Sequence, residues 1–195
     1  MTYKTDRTHK TNMQKLIIGL VGEKLAGKDE AAKYLVKKYG ASHIKFSHLL
    51  DEMLDILDMP KTRRNEIDLG LGLRDIFGNE VLYRALKKRT LESTHPMVVI
   101  NGIRMDEQEK VIKELGAKMV YVTAPSELRY ERYKHRREKI DDGKLSFEEF
   151  AKQDQQEETE KGIPELGKKA EFKIENLGTL EELYKEVDKI ISHVK

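Results

Sequence analysis

Short apolar runs alternate along the chain with segments that repeat apolar residues every three to four positions. The runs are rich in β-branched residues and short, which is typical of strands buried on both faces of a sheet. The segments between them have the period of amphipathic helices, as in 28–39, where Ala31, Ala32 and Leu35 share one face. The apolar runs are residues 16–21, 43–46, 97–101, 118–123 and 171–176.

Polar residues mark where several of the helices begin. Ser47 and Asn79 each precede a segment with helical period and are predicted to cap it, and 106–115 and 179–194 are two further helices. Strands that alternate with helices predict an α/β fold with a parallel sheet. Because ligands of such sheets bind beyond the carboxyl ends of the strands, the residues after each strand are the first candidates for a site.

The composition is that of a folded domain with a heavily charged surface. The chain has 195 residues, 38% hydrophobic and 37% charged, which suffices for one domain with a sizeable core. We expect a flexible extension at 1–14 and one domain at 15–195. No run approaches the roughly 20 apolar residues of a membrane span, so we expect no membrane partner.

The charge and the absence of cysteine exclude further classes. The formal net charge is only +2, which disfavours a general attraction to nucleic acid. The chain has no cysteine, which excludes disulfides, thiolate zinc sites and cysteine nucleophiles. This composition agrees with a reducing cytoplasm, which is the location that we expect.

The residues after the first strand have the pattern of a phosphate-binding loop. Gly22, Gly27 and Lys28 have the Walker A spacing G-x-x-x-x-G-K, between a predicted strand and a predicted helix. Glycines let backbone N–H groups curl around phosphate oxygens, and the positive end of the following helix favours the same anion. We therefore expect a nucleotide site at Gly22, Glu23, Lys24, Leu25, Ala26, Gly27, Lys28, Asp29 and Glu30.

Asp29 departs from this motif, which has serine or threonine there to bind the magnesium ion of the nucleotide. A carboxylate is a hard, charged oxygen ligand that suits Mg²⁺. It would also repel phosphate unless the metal is present, so we expect Asp29 to tighten the dependence on metal and assign it as the metal ligand. ATP and Mg²⁺ are the expected cofactors, and a degenerate, inactive loop is the alternative.

Several classes of phosphate-loop protein are excluded by missing motifs. The guanine-specificity motif N-K-x-D is absent, and the third apolar run ends in Asn101 instead of the acid pair of motor-type ATPases. Small-molecule kinases remain, and these use arginines at the carboxyl edge of the sheet to position and neutralise phosphates. Arg74 and Arg104 are therefore candidates to hold the anionic group of a phosphate acceptor.

A basic segment followed by an acidic one predicts a helical lid at approximately 129–162. Arg132 and Arg136 lie four positions apart in the basic segment and would share one helix face. A guanidinium pair on a closing lid can bridge donor and acceptor phosphates.

Residues 15–194 resemble the nucleoside monophosphate kinase superfamily, in particular the phage-type deoxynucleoside monophosphate kinases and the dephospho-CoA kinases. Glycine-lysine-aspartate at the end of the loop recurs in the phage-type enzymes. The segments FSHLL, LGLGLRDIFGNEVLYRAL and VVINGIRMDEQEKVIKELGAKMVYV are similar to theirs, although His48 and Asn101 stand where an acid is usual. FKIENLGTLEELYKEV resembles the closing strand and helix of dephospho-CoA kinases, which implies that Asn176 and Gly178 lie near the adenine.

This resemblance implies a three-layer P-loop NTPase fold, with a five-stranded parallel sheet in the order 2-3-1-4-5 and a helical lid. It implies transfer of the γ-phosphoryl group of ATP to a (deoxy)nucleoside monophosphate. Dephospho-CoA is the alternative acceptor, a non-catalytic ATP sensor is a further alternative, and monomer and homodimer both stay open. The implied catalytic residues are Lys28, Asp29, Arg132 and Arg136, and the implied acceptor-binding residues are Ser47, His48, Arg74 and Arg104.

Overall fold

Five parallel strands form the centre of the molecule, in the order β2-β3-β1-β4-β5. The computed structural model describes residues 15–104, 106–136, 144–156 and 160–195. The predicted extension and residues 137–143 and 157–159 of the predicted lid lie outside this part. Both the parallel sheet and its order are as predicted. The strands are β1 (Leu16–Val21), β2 (Ser42–Lys45), β3 (Met97–Ile103), β4 (Lys118–Thr123) and β5 (Phe172–Glu175).

Strand β3 extends two residues further than its apolar run predicts. Asn101 pairs with Leu20 of β1, and Val21 then pairs with Ile103, so the register shifts by one residue. Gly102 has a φ of 86°, a left-handed conformation that glycine adopts at such a bulge. The strand therefore carries a polar residue, Asn101, into the sheet at its carboxyl end.

Helices cover both faces of the sheet. They are α1 (Lys28–Tyr39), α2 (Phe46–Ile56), α3 (Arg63–Phe77), α4 (Val81–Glu92), α5 (Asp106–Glu114), α6 (Ser126–His135), α7 (Phe147–Gln156), α8 (Ile163–Lys168) and α9 (Leu180–Val194). In the described part of the chain, no helix has both the length and the apolarity to cross a bilayer.

Two of the predicted helix caps are wrong. Helix α2 begins at Phe46, one residue before Ser47, and Lys45 is its N-cap, so β2 passes directly into the helix. Phe46 is buried, and this packing starts the helix early. Glu80 takes the capping position that we assign to Asn79, whose side chain accepts a hydrogen bond from Arg74.

Two apolar layers lie on the two sides of the sheet because alternate side chains of each strand point to opposite faces. Val98 and Ile100 of β3 belong to one layer, with Leu86 of α4 and Ile163 of α8. The neighbouring Val99 belongs to the other layer, which packs against α1 and α9. The carboxyl ends of β1, β2 and β3 meet at one edge, where the loops that carry polar residues come together.

Candidate active site

The loop between β1 and α1 has a backbone that requires its two motif glycines. Gly22 and Gly27 have φ values of 150° and 111°. A Cβ on Gly22 would lie 1.9 Å from the carbonyl oxygen of Val122, and one on Gly27 would lie 2.3 Å from Nδ2 of Asn176. No side chain fits at either position, so the loop has its shape only with glycine there.

Three successive carbonyl groups of the loop are held from outside by side chains. Arg129 Nη1 donates to the carbonyl oxygen of Lys24 at 3.3 Å, and Arg132 Nη1 donates to that of Leu25 at 3.0 Å. Asn176 Nδ2 donates to the carbonyl oxygen of Ala26 at 2.9 Å. In a trans peptide the carbonyl and the N–H of the next residue point in opposite directions. The N–H groups of Leu25 and Gly27 therefore point away from the side chains that hold the carbonyls of Lys24 and Ala26. That arrangement suits an anion inside the loop.

Lys28 begins α1 at the end of this loop and is buried, with 6% of its surface exposed. Its Nζ donates to the carbonyl oxygen of Glu23 at 2.6 Å. Burial and the nearby Arg104 lower the pKa of Lys28 to about 7, against the opposing pull of Asp29 and Glu23. An anion beside Nζ would therefore favour the protonated, charged form of Lys28.

The side chain of Glu23 is anchored to the sheet. The hydroxyl of Tyr121, on β4, donates to the carboxylate of Glu23. Burial and this carboxylate raise the pKa of Tyr121 to about 12. The second oxygen of Glu23 is buried and has no hydrogen-bond partner in the described part of the chain. Glu23 thus links the loop to β4, a contact that sequence spacing does not show.

Lys24 is also covered, because its Nζ lies 4.4 Å from the centre of the Phe150 ring of α7. Phe150 is fully buried, and Arg129 of α6 lies on the same ring at 5.8 Å. A cation above an aromatic face is attracted by the ring's quadrupole. The described helices of the predicted lid therefore pack directly on the loop.

Asp29 has two partners on neighbouring strands. Its Oδ1 lies 3.1 Å from Nζ of Lys45 and accepts a hydrogen bond from Nδ2 of Asn101 at 2.8 Å. Lys45 and Asn101 pair across β2 and β3, which brings both to the same point of the sheet edge. Burial favours the neutral acid, but Lys45 and Lys28 outweigh it and hold the pKa of Asp29 below its usual range.

These residues fit a magnesium ion. Asn101 and Lys45 both contact Oδ1 of Asp29, and the buried Oδ1 of Asn101 has no hydrogen-bond partner among the described residues. The described residues contain no cluster of three or more acids or histidines. One carboxylate that shares the ion with phosphates and water is a usual arrangement for Mg²⁺.

Arg104 lies next to the loop and shares a carboxylate with a second arginine. Arg104 Nη1 pairs with Oε1 of Glu160, and Arg63 Nη2 lies 3.4 Å from the same oxygen. Glu160 is buried, and its other carboxylate oxygen has no hydrogen-bond partner among the described residues. Two arginines from separate elements thus converge on one anion near Lys28, whose pKa Arg104 lowers.

The structure does not bring Arg74 to this pair. Arg74 lies in the last turn of α3, and Arg63 begins that helix, so about 16 Å of helix separates them at 1.5 Å per residue. Ser47 and His48 lie in the first turn of α2, and the exposed ring of His48 is 5.7 Å from that of His43. The acceptor-binding roles of Arg74, Ser47 and His48 stay predictions.

The predicted lid arginines have different surroundings. Arg132 holds the carbonyl oxygens of Leu25 and Asn176, the latter through Nη2 at 3.0 Å. Arg136 lies one residue beyond the end of α6 in an extended conformation, so the prediction that it shares a helix face with Arg132 is wrong. Its charge contributes to the lowered pKa of Asp29. Arg132 therefore holds a backbone carbonyl of the loop, and Arg136 is near the carboxylate of Asp29 at the end of the loop.

The amide of Asn176 points at the loop, while Gly178 lies beside a groove of about 460 Å³ between β5 and α9. A Cβ on Gly178 would lie 1.8 Å from Glu182 Oε2, since Glu182 folds back to cap α9. Glu30, in the first turn of α1, forms an ion pair with Lys33 at 2.7 Å. Asn176 lines this groove and also contacts the loop, and the predicted adenine site lies at these two residues, Asn176 and Gly178.

Sequence reasoning missed Tyr121, Lys45 and Glu160 as parts of this site, and it placed Arg129 in the lid without a contact to the loop. None belongs to the loop motif, and each reaches the site from another element. Lys45 is the one with a visible signal, since it is the last residue of a strand whose carboxyl end faces the loop.

Comparisons with known proteins agree with this geometry. No family model matches the sequence. A UPF0200 protein of Saccharolobus islandicus is 31% identical over 182 residues, which cover 92% of this chain and 92% of the relative.

Solved structures with the same architecture include the Thermus thermophilus protein TT1252, at 21% identity and a TM-score of 0.64, covering 93% of this chain and 98% of that one. A shikimate kinase from Bacteroides thetaiotaomicron follows at 14% identity and a TM-score of 0.57, covering 92% and 98%. At these identities the likeness shows the fold alone, which is the predicted P-loop NTPase fold.

Proposed function

The chain belongs to the UPF0200 family, and we propose that it is an ATP-dependent P-loop kinase that phosphorylates a small anionic acceptor. The observation that carries the proposal is the buried Lys28, with a pKa lowered to about 7, at the end of a loop in which three successive carbonyl groups accept hydrogen bonds from other elements. Asp29 and Glu23 offset only part of the cost of burying this lysine, which argues for a ligand that supplies further negative charge.

In this proposal the loop binds the donor phosphates of ATP. The N–H groups of the loop and the first turn of α1 surround the phosphate oxygens, and Lys28 neutralises the outer ones. Asp29 holds Mg²⁺, which supplies further neutralisation of the phosphates when bound. Arg136 closes the site from the lid, and Arg132 keeps the loop in shape from outside. Asn176 and Gly178 border the adenine.

The acceptor side is supported by the arginine pair. Arg63 and Arg104 share one carboxylate oxygen of Glu160, so the same two guanidinium groups can hold a phosphate or carboxylate of the acceptor once Glu160 is displaced. The acceptor that we propose first is a (deoxy)nucleoside monophosphate, and dephospho-CoA is the alternative. The chemistry is in-line transfer of the γ-phosphoryl group, catalysed by position and charge neutralisation.

We also propose that residues 15–195 form a single kinase domain in which approximately 129–162 act as the lid. The contacts of Phe150 and Arg129 with Lys24 support a lid that closes directly on the loop. A cytoplasmic location belongs to the same proposal.

The experiment is an ATP-to-ADP coupled assay against a panel of acceptors, with and without Mg²⁺. The panel holds all ribo- and deoxynucleoside monophosphates, dephospho-CoA, phosphomevalonate and shikimate. One strong hit that depends on Mg²⁺ is expected. The variant Lys28→Ala should lower turnover by orders of magnitude, and Lys37→Ala, an exposed lysine later in the same helix, is the matched control.

Two results would count against the proposal. Near-normal turnover of Lys28→Ala would remove the assigned role of the loop. ATP binding without any acceptor-stimulated ATP consumption would favour the alternative, a nucleotide sensor without kinase chemistry.

A further inference from the structure

The side chains of Asp29 and Asn101 are in direct contact, although 72 positions separate them in the chain. Asn101 is 1% exposed, its Nδ2 donates to Asp29 Oδ1 at 2.8 Å, and its own Oδ1 is buried without a partner among the described residues. The amide has one sensible orientation here, because turning it over would bring its oxygen against the carboxylate.

The two positions correspond to the two protein groups that hold magnesium in P-loop proteins. That arrangement has a hydroxyl at the end of the loop and an acid at the end of the neighbouring strand. This chain has an acid at the end of the loop, Asp29, and a neutral polar group at the end of the strand, Asn101. The number of carboxylates is the same, and only their places differ.

We propose that the metal-binding carboxylate and its neutral partner have exchanged places in this protein. Asp29 takes the ion through Oδ2, and Asn101 is a positioning residue that fixes Oδ1 through its own Nδ2. Oδ1 of Asn101, which has no partner among the described residues, can then accept a hydrogen bond from the hydration shell of the ion. This inference rests on the proposed function, because it concerns the magnesium site of that function.

Lys45 explains how the loop tolerates an acid beside phosphate. Its Nζ lies 3.1 Å from Asp29 Oδ1, and in the sheet it pairs with Asn101. Lys45 therefore lies beside both positions, so the same cation can offset a carboxylate at 29 or at 101. The local charge is balanced in either arrangement.

The test is to reverse the exchange and to measure Mg²⁺ binding directly. The variants are Asp29→Ser, the double variant Asp29→Ser/Asn101→Asp, and Asn101→Leu, which keeps approximate size but removes both hydrogen-bonding groups. Calorimetric titration of Mg²⁺ into protein with saturating ADP gives the apparent dissociation constant, and titration of ADP without metal gives the affinity for nucleotide alone.

Asp29→Ser is expected to weaken Mg²⁺ binding about tenfold or more, the range found when metal ligands or their orienting partners are lost. The double variant is expected to recover most of that loss, because an acid at position 101 reaches the same ion. Asn101→Leu is expected to weaken Mg²⁺ binding about tenfold while metal-free ADP binding changes little. A purely structural role for Asn101 would instead lower the melting temperature and both affinities together.

Two outcomes would overturn the exchange. One is a double variant that binds Mg²⁺ no better than Asp29→Ser, and the other is unchanged Mg²⁺ binding by a folded Asn101→Leu. Failure of the wild-type chain to bind Mg²⁺ with ADP would refute the proposed function itself, so the two failures are distinguishable.

Discussion

Nucleotide binding should be coupled to protonation of Lys28. Burial and the charge of Arg104 lower the pKa of this lysine from 10.5 to about 7 in the free protein. At 1.36 kcal/mol for each pKa unit, charging Lys28 at its buried position is disfavoured by about 5 kcal/mol relative to water. Phosphate oxygens beside Nζ would favour the charged form and restore the pKa toward its ordinary value.

The expected number of protons follows from this pKa. At pH 8 a lysine with a pKa near 7 is about one-tenth protonated, and beside phosphate it is almost fully protonated, so ADP binding takes up about 0.9 proton. The phosphates of ADP are already ionised at pH 8 and contribute little. Calorimetric titration with ADP in buffers of different ionisation enthalpy measures this number directly.

The control separates Lys28 from other groups. Lys28→Met should bind ADP more weakly and with almost no proton uptake, while Lys37→Met, an exposed lysine of α1, should behave like the wild type. Wild-type binding at pH 8 without proton uptake would refute the reasoning, since it would mean that Lys28 is already charged in the free protein or does not contact the phosphates.

Three further predictions concern the same site. Because the folded pKa of Lys28 is lowered, the unfolded chain binds more protons between pH 7 and 10.5, and wild-type stability rises through that window. Lys28→Met should therefore be more stable than wild type at pH 6, by up to about 5 kcal/mol, and lose this advantage by pH 10, as denaturant unfolding would measure. Asn176→Ala removes the donor to the carbonyl of Ala26, so we expect the free energy of unfolding to fall by about 1–3 kcal/mol and ADP to bind more weakly. Unchanged ADP affinity would argue against a role of Asn176 in shaping the loop. Glu160→Gln should lower the KM of the anionic acceptor about two- to five-fold, the equivalent of an ion pair whose arginines are partly exposed, and leave the KM of ATP unchanged. An acceptor KM that does not fall would argue against binding of the acceptor by the two arginines.

The fold could be predicted from local patterns. The apolar runs became the five strands, because a run of β-branched residues covered on both faces leaves few alternatives to a parallel sheet. The order of the strands came from the resemblance rather than from the runs themselves. The capping predictions failed at Ser47 and Asn79, where burial of Phe46 and a contact with Arg74 decided the local structure instead.

The chemistry of the loop was equally visible in the sequence. Gly22, Gly27, Lys28 and Asp29 are adjacent or nearly so, and their spacing alone predicts a phosphate site with an unusual acid. Spacing cannot show what surrounds such a loop, because the groups that hold it come from distant segments.

The sequence by itself therefore determined the class of fold, the place of the phosphate loop and the presence of an acid at its end. Only the tertiary structure decided that Arg129 and Asn176 hold the loop carbonyls outward, and that Asn101 and Lys45 meet at Asp29. The physical reason is that a strand or a glycine turn depends on neighbours within a few residues. A shared hydrogen bond or a shifted pKa depends on distances between side chains, and only the packing of the sheet and its helices sets those.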